Sequence, residues 1–366
     1  MNSDNDAYGG VWSEHDSSAP SYLSGYDQLY RQDPHRAAVE WFRNARFGLF
    51  IHYGLYSLTG KGEWAQFTEL IPISQYAKLK DRFTADKFDA DRIASLAEEA
   101  GMRYVTLVCK HCDSFCLWDT ATTEFNSMNS PARRDLVAEM AAACRARGLG
   151  FFTFYEHGFD WRHPHGPAPW DWARPSVRPP YDPPDPFYAP RDRYDFSNYV
   201  QYAYDGVSEL CSNYGPLAGV WLDGIAIPLS GDKERFRVPE LYARIRELQP
   251  QALISYKSGL YPELEDFMAP EGPQVDTATA NRAGKPMEIC RTMQKRTPST
   301  PKGHLWGWLD GADHATPDEV RAMLAEAESK DANLLLNVGP LPDGSIHPDD
   351  VATLREIGRN RAAGTT

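Results

Sequence analysis

Gly219-Val220-Trp221-Leu222-Asp223-Gly224 runs through apolar residues and stops on a carboxylate followed by a glycine. A run of this kind reads as a strand covered on both faces whose tip meets solvent, the pattern of a buried parallel sheet. The same arrangement recurs at Phe47 to His52, Tyr104 to His111, Leu149 to Tyr155, Ala252 to Lys257 and Asn333 to Asn337, each run ending on a residue able to do chemistry. Strand starts near Phe47, Tyr104, Leu149, Gly219, Ala252, Met287 and Asn333 give seven candidates, with room near Leu305 for an eighth.

Amphipathic segments lie between these runs. Asp91 to Ala100 and Pro131 to Arg147 carry apolar residues at helical spacing and stop at Gly101 and Gly148, residues suited to helix termination. Further helices are expected at Ser197 to Asn213, Pro239 to Gln249, Pro317 to Lys330 and Pro348 to Asn360. Alternating strand and helix predicts an α/β fold with a parallel sheet. An open doubly wound sheet usually opens with a glycine-rich phosphate loop, which the sequence lacks, so the expectation is a TIM-like (β/α)8 barrel with its site at the carboxyl ends of the strands. Residues 1–35 are expected to form an N-terminal arm and 36–366 the catalytic barrel.

The chain has 366 residues, 42% of them hydrophobic and 24% charged, enough for one large core. A formal net charge of -13 repels a phosphate backbone, so nucleic acid is not an expected partner. Residues 1–30 lack a basic start followed by an apolar stretch, and no run is long enough to span a membrane, which predicts a cytoplasmic protein. Six cysteines are too few to staple a chain of this length. Cys109, Cys112 and Cys116 have a C-x2-C-x3-C spacing compatible with zinc or an iron-sulfur cluster, but a fourth ligand is missing and Cys109 is expected on the strand face away from His111. No metal and no cofactor are expected.

From Gly158 to Phe196 there are ten prolines, with Trp161, Trp170, Trp172, Tyr181, Phe187, Tyr188 and Tyr194 among them. That much proline precludes regular helix, and a rim loop over the site competes evenly with a structural or oligomer-contact loop.

Asp223 is the leading catalytic candidate, since a carboxylate at an apolar strand tip must be held by hydrogen bonds, and Gly224 leaves room for a ligand. Acetal cleavage needs a second carboxyl, for which Glu265, Asp266, Glu271 and Glu288 are the candidates. His52 and His111 end two strands, and with Glu63, Trp64 and Tyr155 they make a polar, aromatic-floored pocket suited to a sugar, whose hydroxyls need directed hydrogen bonds and whose C–H face packs on a ring.

These residues resemble family 29 of the glycoside hydrolases, the retaining α-L-fucosidases. The resemblance is carried by Arg46 to Gly54, Lys110 to Asp119, Arg133 to Leu136, Tyr155 with Asp160-Trp161, Trp221-Leu-Asp223, Asp266 to Glu271 and Asn333 to Pro340, in the family's order over roughly residues 40 to 360. It implies Asp223 as nucleophile, Glu271 as a loop-borne acid/base, and His52, Glu63, Trp64, His111 and Tyr155 as sugar-holding residues. Lys257 stands where many members have Arg, and Cys112, Glu288 and Trp306 complete the substrate-binding candidates. It implies no metal, and since the chain ends soon after Asn337-Val-Gly-Pro340 a barrel without the C-terminal β-sandwich of many members is expected.

Besides Lys257, other positions depart from the family pattern. Cys112 stands where a histidine is usual, and Tyr53 and Met287 replace common tryptophans. The expected activity is retaining release of α-L-fucose or a closely related sugar from a saccharide or glycoside. The alternatives are an α-L-galactosidase-like or other divergent glycosidase, or a saccharide-binding protein that has lost catalysis, with a homo-oligomer left open.

Overall fold

In the computed structural model, residues 18–270, 284–300 and 304–362 are described. Glu271, the expected acid/base, lies outside them. Seven strands form one wholly parallel sheet: β1 (Phe47–Ile51), β2 (Tyr104–Lys110), β3 (Gly150–Glu156), β4 (Gly219–Asp223), β5 (Leu253–Tyr256), β6 (Met287–Thr292) and β7 (Ala332–Val338), in the order β5-β4-β3-β2-β1-β7-β6. Every residue of β1, β2, β3, β5 and β7 is buried, whereas β4 opens to solvent only at Asp223. Cover on both faces is what permits these near-continuous apolar runs.

The longer helices are α1 (Asp27–Gln32), α2 (Pro34–Ala45), α3 (Ala90–Glu99), α4 (Leu136–Ala146), α5 (Phe196–Asn213), α6 (Val238–Leu248), α7 (Pro317–Ser329) and α8 (Pro348–Ala362). Asp89, Asp135 and Asp195 cap α3, α4 and α5 by accepting a backbone N–H of the first turn. The cap at Asp135 corrects the expected start at Pro131: its extended backbone and its bond from the Ala138 N–H begin the helix five residues later than a proline-first reading implies.

The sheet curls, and its two faces feed two cores. Phe50, Tyr104, Val108, Phe152, Phe154, Trp221, Leu253, Phe267, Cys290 and Leu335 fill the inside, with Trp41 and Phe42 of α2 packed beneath them. Leu49, Val105, Leu107, Val220, Leu222, Ile254 and Leu336 point outward to the helices. A flat sheet would leave the inner rings in water, at roughly 1.5–3 kcal/mol per large side chain.

Among the described residues no strand forms near Leu305, where the eighth was expected. Instead, residues 266–269 bridge the gap between β5 and β6: the Asp266 and Ala269 N–H groups donate to the Ile254 and Lys257 carbonyls (2.8 and 2.7 Å), and the Glu288 N–H donates to the Met268 carbonyl (2.8 Å). A register shift in the β2–β3 pairing between Val108 and Lys110 bears on the cysteines. Strict alternation would put residues 109 and 111 on one face. With the irregularity, Cys109 joins the outer core while the His111 ring stacks beside Phe154 of the inner one. The three thiols accordingly do not share a site, since Cys109 Sγ meets the Leu107 carbonyl, Cys116 Sγ the Ser114 carbonyl and Cys112 Sγ the Glu156 carboxyl.

No helix among the described residues is long and apolar enough to cross a membrane.

Candidate active site

The tips of β1, β2, β3, β4 and β7 converge at one end of the curled sheet. Asp223 ends β4 with its side chain 15% exposed, and the Gly224 N–H donates to its Oδ1 (2.6 Å). Lys257, just past β5, places its ammonium 3.1 Å from Oδ1 and 3.3 Å from Oδ2. Lys257 takes a left-handed backbone (φ 51°), a costly conformation for a non-glycine residue that occurs where surrounding structure enforces it. Gly224 is required on two counts: its φ is 85°, and a Cβ there would lie 2.2 Å from Glu156 Oε1.

His52, at the tip of β1, sets Nδ1 2.6 Å from Asn337 Oδ1 at the tip of β7. The Asn337 amide nitrogen donates to Thr292 Oγ1 (3.0 Å) and the Trp306 carbonyl (2.8 Å), which fixes its oxygen toward the imidazole. Burial pushes His52 down to about 3, so the ring is neutral, Nδ1 carries the proton, and Nε2 is an acceptor. The His111 ring lies 5.7 Å from that of His52 and is likewise held neutral, chiefly by burial and then by the other cations and imidazoles nearby. Its Nδ1 is buried without a hydrogen-bond partner.

Trp306 closes one side, its ring 5.4 Å from His52. Glu63 Oε2 accepts the backbone N–H groups of Trp306 and Gly307 (3.2 and 2.9 Å), tying that segment to the floor. Trp64 stacks on His304 at 4.7 Å and meets Phe159 and Trp161 edge-on. The proline-rich segment therefore reaches the site. It is pinned by Asp160, which is fully buried, pairs with Lys110 Nζ (3.0 Å) and accepts from Ser114 Oγ and the Arg162 and His163 N–H groups.

Asp223, Lys257, His52, His111, Trp306, Glu63 and Trp64 are thus brought together. Tyr155 is not. It packs outward against Trp118 and Gly206 of α5, with Lys110 Nζ 4.8 Å over its ring, because its neighbours Phe154 and Glu156 take the inward face. Glu288 also lies elsewhere, inside the sheet below the tips, where it accepts from Tyr104 Oη (2.6 Å) and Trp221 Nε1 (2.9 Å). Glu265 and Asp266 are structural acids: the first accepts from Tyr242 and two backbone N–H groups, and the second binds Arg246, His35 and the Ile254 N–H. Tyr53 and Met287 sit in the outer core, so those two departures change packing rather than the site. Cys112 is buried, its thiol donating to Glu156 Oε2 (3.6 Å).

Glu156 was missed from the sequence. It is the register partner of Asp223 across the β3–β4 ladder and is buried, with Oε1 accepting the Phe159 N–H (3.1 Å). Burial, and then the Asp223 charge, hold it well above the usual carboxyl range. The available signal was alternation: Phe152, Phe154 and Glu156 share one face, so the run ends on Glu156 rather than Tyr155.

A carboxylate clamped between an N–H and an ammonium, beside two neutral imidazoles and an indole at the carboxyl ends of parallel strands, suits attack on a sugar's anomeric carbon, and the comparisons with known proteins place the chain among the glycoside hydrolases. The family model described as Alpha-L-fucosidase matches residues 15–361. The plasma alpha-L-fucosidase of Rattus norvegicus is 26% identical, the match covering 91% of this chain and 71% of the rat protein. Among solved structures, alpha-L-fucosidase isoenzyme 1 from Paenibacillus thiaminolyticus has a TM-score of 0.77 at 34% identity, covering 90% of this chain and 77% of the other. AlfC from Lactobacillus casei, in complex with alpha-L-fucose product, has a TM-score of 0.76 at 26% identity and covers 89% and 98%. The chain belongs to the alpha-L-fucosidase family.

Proposed function

We propose that this protein releases α-L-fucose, or a closely related sugar, from glycosides with retention of configuration. Asp223 attacks the anomeric carbon and forms a glycosyl-enzyme. Glu271, assigned by the resemblance, protonates the departing oxygen and then activates water. The observation that carries this reading is the Asp223 clamp: the Gly224 N–H and Lys257 ammonium hold the carboxylate in place for attack and receive it again as the ester is cleaved. His52 Nε2 is presented as an acceptor for a sugar hydroxyl, and Trp306 and Trp64 offer ring faces to its C–H side. Residues 266–269 are read as the eighth position of the barrel, since they bond to both β5 and β6.

Asp223→Gly is the test. Hydrolysis of an aryl α-L-fucoside should fall by at least about 10³-fold, and azide should restore turnover with an inverted glycosyl azide as product. Undiminished hydrolysis, or loss that azide does not rescue, removes Asp223 from the role. A panel of aryl glycosides run on the wild type identifies the preferred sugar.

A further inference from the structure

His111, Cys112 and Glu156 each offer one ligand atom, and the three atoms all lie within 4.8 Å of one another. All three residues are at most 5% exposed. In a tetrahedral zinc site, bonds of about 2.0–2.3 Å place neighbouring ligand atoms about 3.3–3.8 Å apart. The 3.6 Å separation of Cys112 Sγ and Glu156 Oε2 falls in that range without movement. His111 supplies the independent sign of a missing partner, because its buried Nδ1 has no hydrogen-bond partner, a costly state for a ring nitrogen. The nearby cations are already engaged: Lys110 Nζ pairs with Asp160 and donates to the Glu156 carbonyl (both 3.0 Å), and Lys257 pairs with Asp223. Lys110 and Lys257 act on Glu156, and Lys110 on Cys112, as neighbouring charges, while Asp223 adds a negative charge beside both.

We infer that His111, Cys112 and Glu156 form a binding site for a borderline-soft divalent cation of the zinc type, with water as the fourth ligand. Thiolate and imidazole select zinc over magnesium or calcium. Cys and Glu ligate in their deprotonated forms, so binding releases the Cys112 thiol proton to solvent. The hydrolysis proposed above requires no ion. Because the His111 ring belongs to the same floor as His52 and Asp223, the cation competes with the saccharide, and the site is inhibitory. The thiol at position 112 supplies the soft ligand.

The test is an anaerobic titration of the full chain with Co2+, followed by absorbance. One equivalent should produce a near-ultraviolet thiolate-to-cobalt charge-transfer band, displaced by Zn2+. Cys112→Ser should remove the band, and Glu156→Gln should weaken Co2+ binding by about tenfold or more, since even outer-shell partners of metal sites cost that much. A wild type without the band, or a band that survives Cys112→Ser, overturns the inference. Circular dichroism checks folding; should Cys112→Ser fail to fold, Glu156→Gln decides, and unchanged Co2+ affinity in it overturns the site. In a second arm, Zn2+ should inhibit aryl α-L-fucoside hydrolysis competitively and EDTA should reverse it. That arm rests on the fucosidase reading, whereas the absorbance arm does not, so failure of one is distinguishable from failure of the other.

Discussion

At the residue scale, the site is organised around the Asp223–Lys257 pair, beside the imidazoles of His52 and His111, which burial holds neutral. Lys257 is the counter-charge, and its left-handed backbone aims the ammonium at both oxygens of Asp223. Lys257→Met should lower kcat/KM on an aryl α-L-fucoside by about 10²- to 10³-fold, the scale of losing one preorganised electrostatic partner. Lys257→Arg should recover part of it, because a guanidinium can address two carboxylate oxygens. Steady-state kinetics on the pair checks this, and equal loss in both would show that shape rather than charge matters there. Asp223, His52 and His111 were legible as strand-tip residues. Glu156 was obscured because its run was ended one residue early, and Tyr155 was drawn into the pocket by the same slip, since one residue along a strand reverses the face.

At the element scale, two packing arrangements hold the floor. Gly158 and Gly224 meet back to back behind the carboxylates, where a Cβ on Gly158 would come 2.1 Å from the Gly224 carbonyl oxygen. Gly224→Ala combines a left-handed φ with collision against Glu156 Oε1 and should destabilise the fold by about 2–5 kcal/mol, read by urea unfolding, together with loss of activity. The second arrangement is the Lys110–Asp160 pair that pins the segment between β3 and α5. Removing one partner of a buried pair costs about 3–5 kcal/mol because the other charge is stranded. Asp160→Ala should therefore lower the unfolding midpoint and expose bonds within 158–196 to limited proteolysis, mapped by mass spectrometry. An unchanged cleavage pattern would show that the aromatic packing of Trp161 and Trp172 suffices to hold the segment. The prolines and aromatics announced an ordered, non-helical connection, but not that Asp160, rather than a ring, fastens it to Lys110.

At the scale of the whole molecule, the curled sheet buries Glu288 among rings, and burial pushes its carboxyl up from 4.5 to about 7. The folded protein therefore binds this proton more tightly than the unfolded chain. The group's contribution to stability is full below the unfolded value and is lost as pH rises through about 7, amounting to at most about 3 kcal/mol. Glu288→Gln should flatten the decline between pH 4.5 and 7 relative to the wild type, measured as unfolding free energy against pH. Parallel curves would show that Glu288 titrates as an ordinary carboxyl.

Local sequence determined the parallel strand-helix rhythm, the seven strand positions and the acid at the end of β4, because apolar periodicity and strand-tip chemistry are encoded over a few neighbouring residues. Which acids meet was decided by tertiary structure. The irregularity after Val108 turns His111 inward, the β3–β4 register sets Glu156 beside Asp223, and the curl of the sheet buries Glu288 below the mouth. The segment at 266–269 that bonds to both β5 and β6 was hidden for the same reason: it is too short to show a period and is held by backbone bonds to strands distant in sequence. Register and curvature arise from contacts between residues far apart in the chain, and no local pattern carries them.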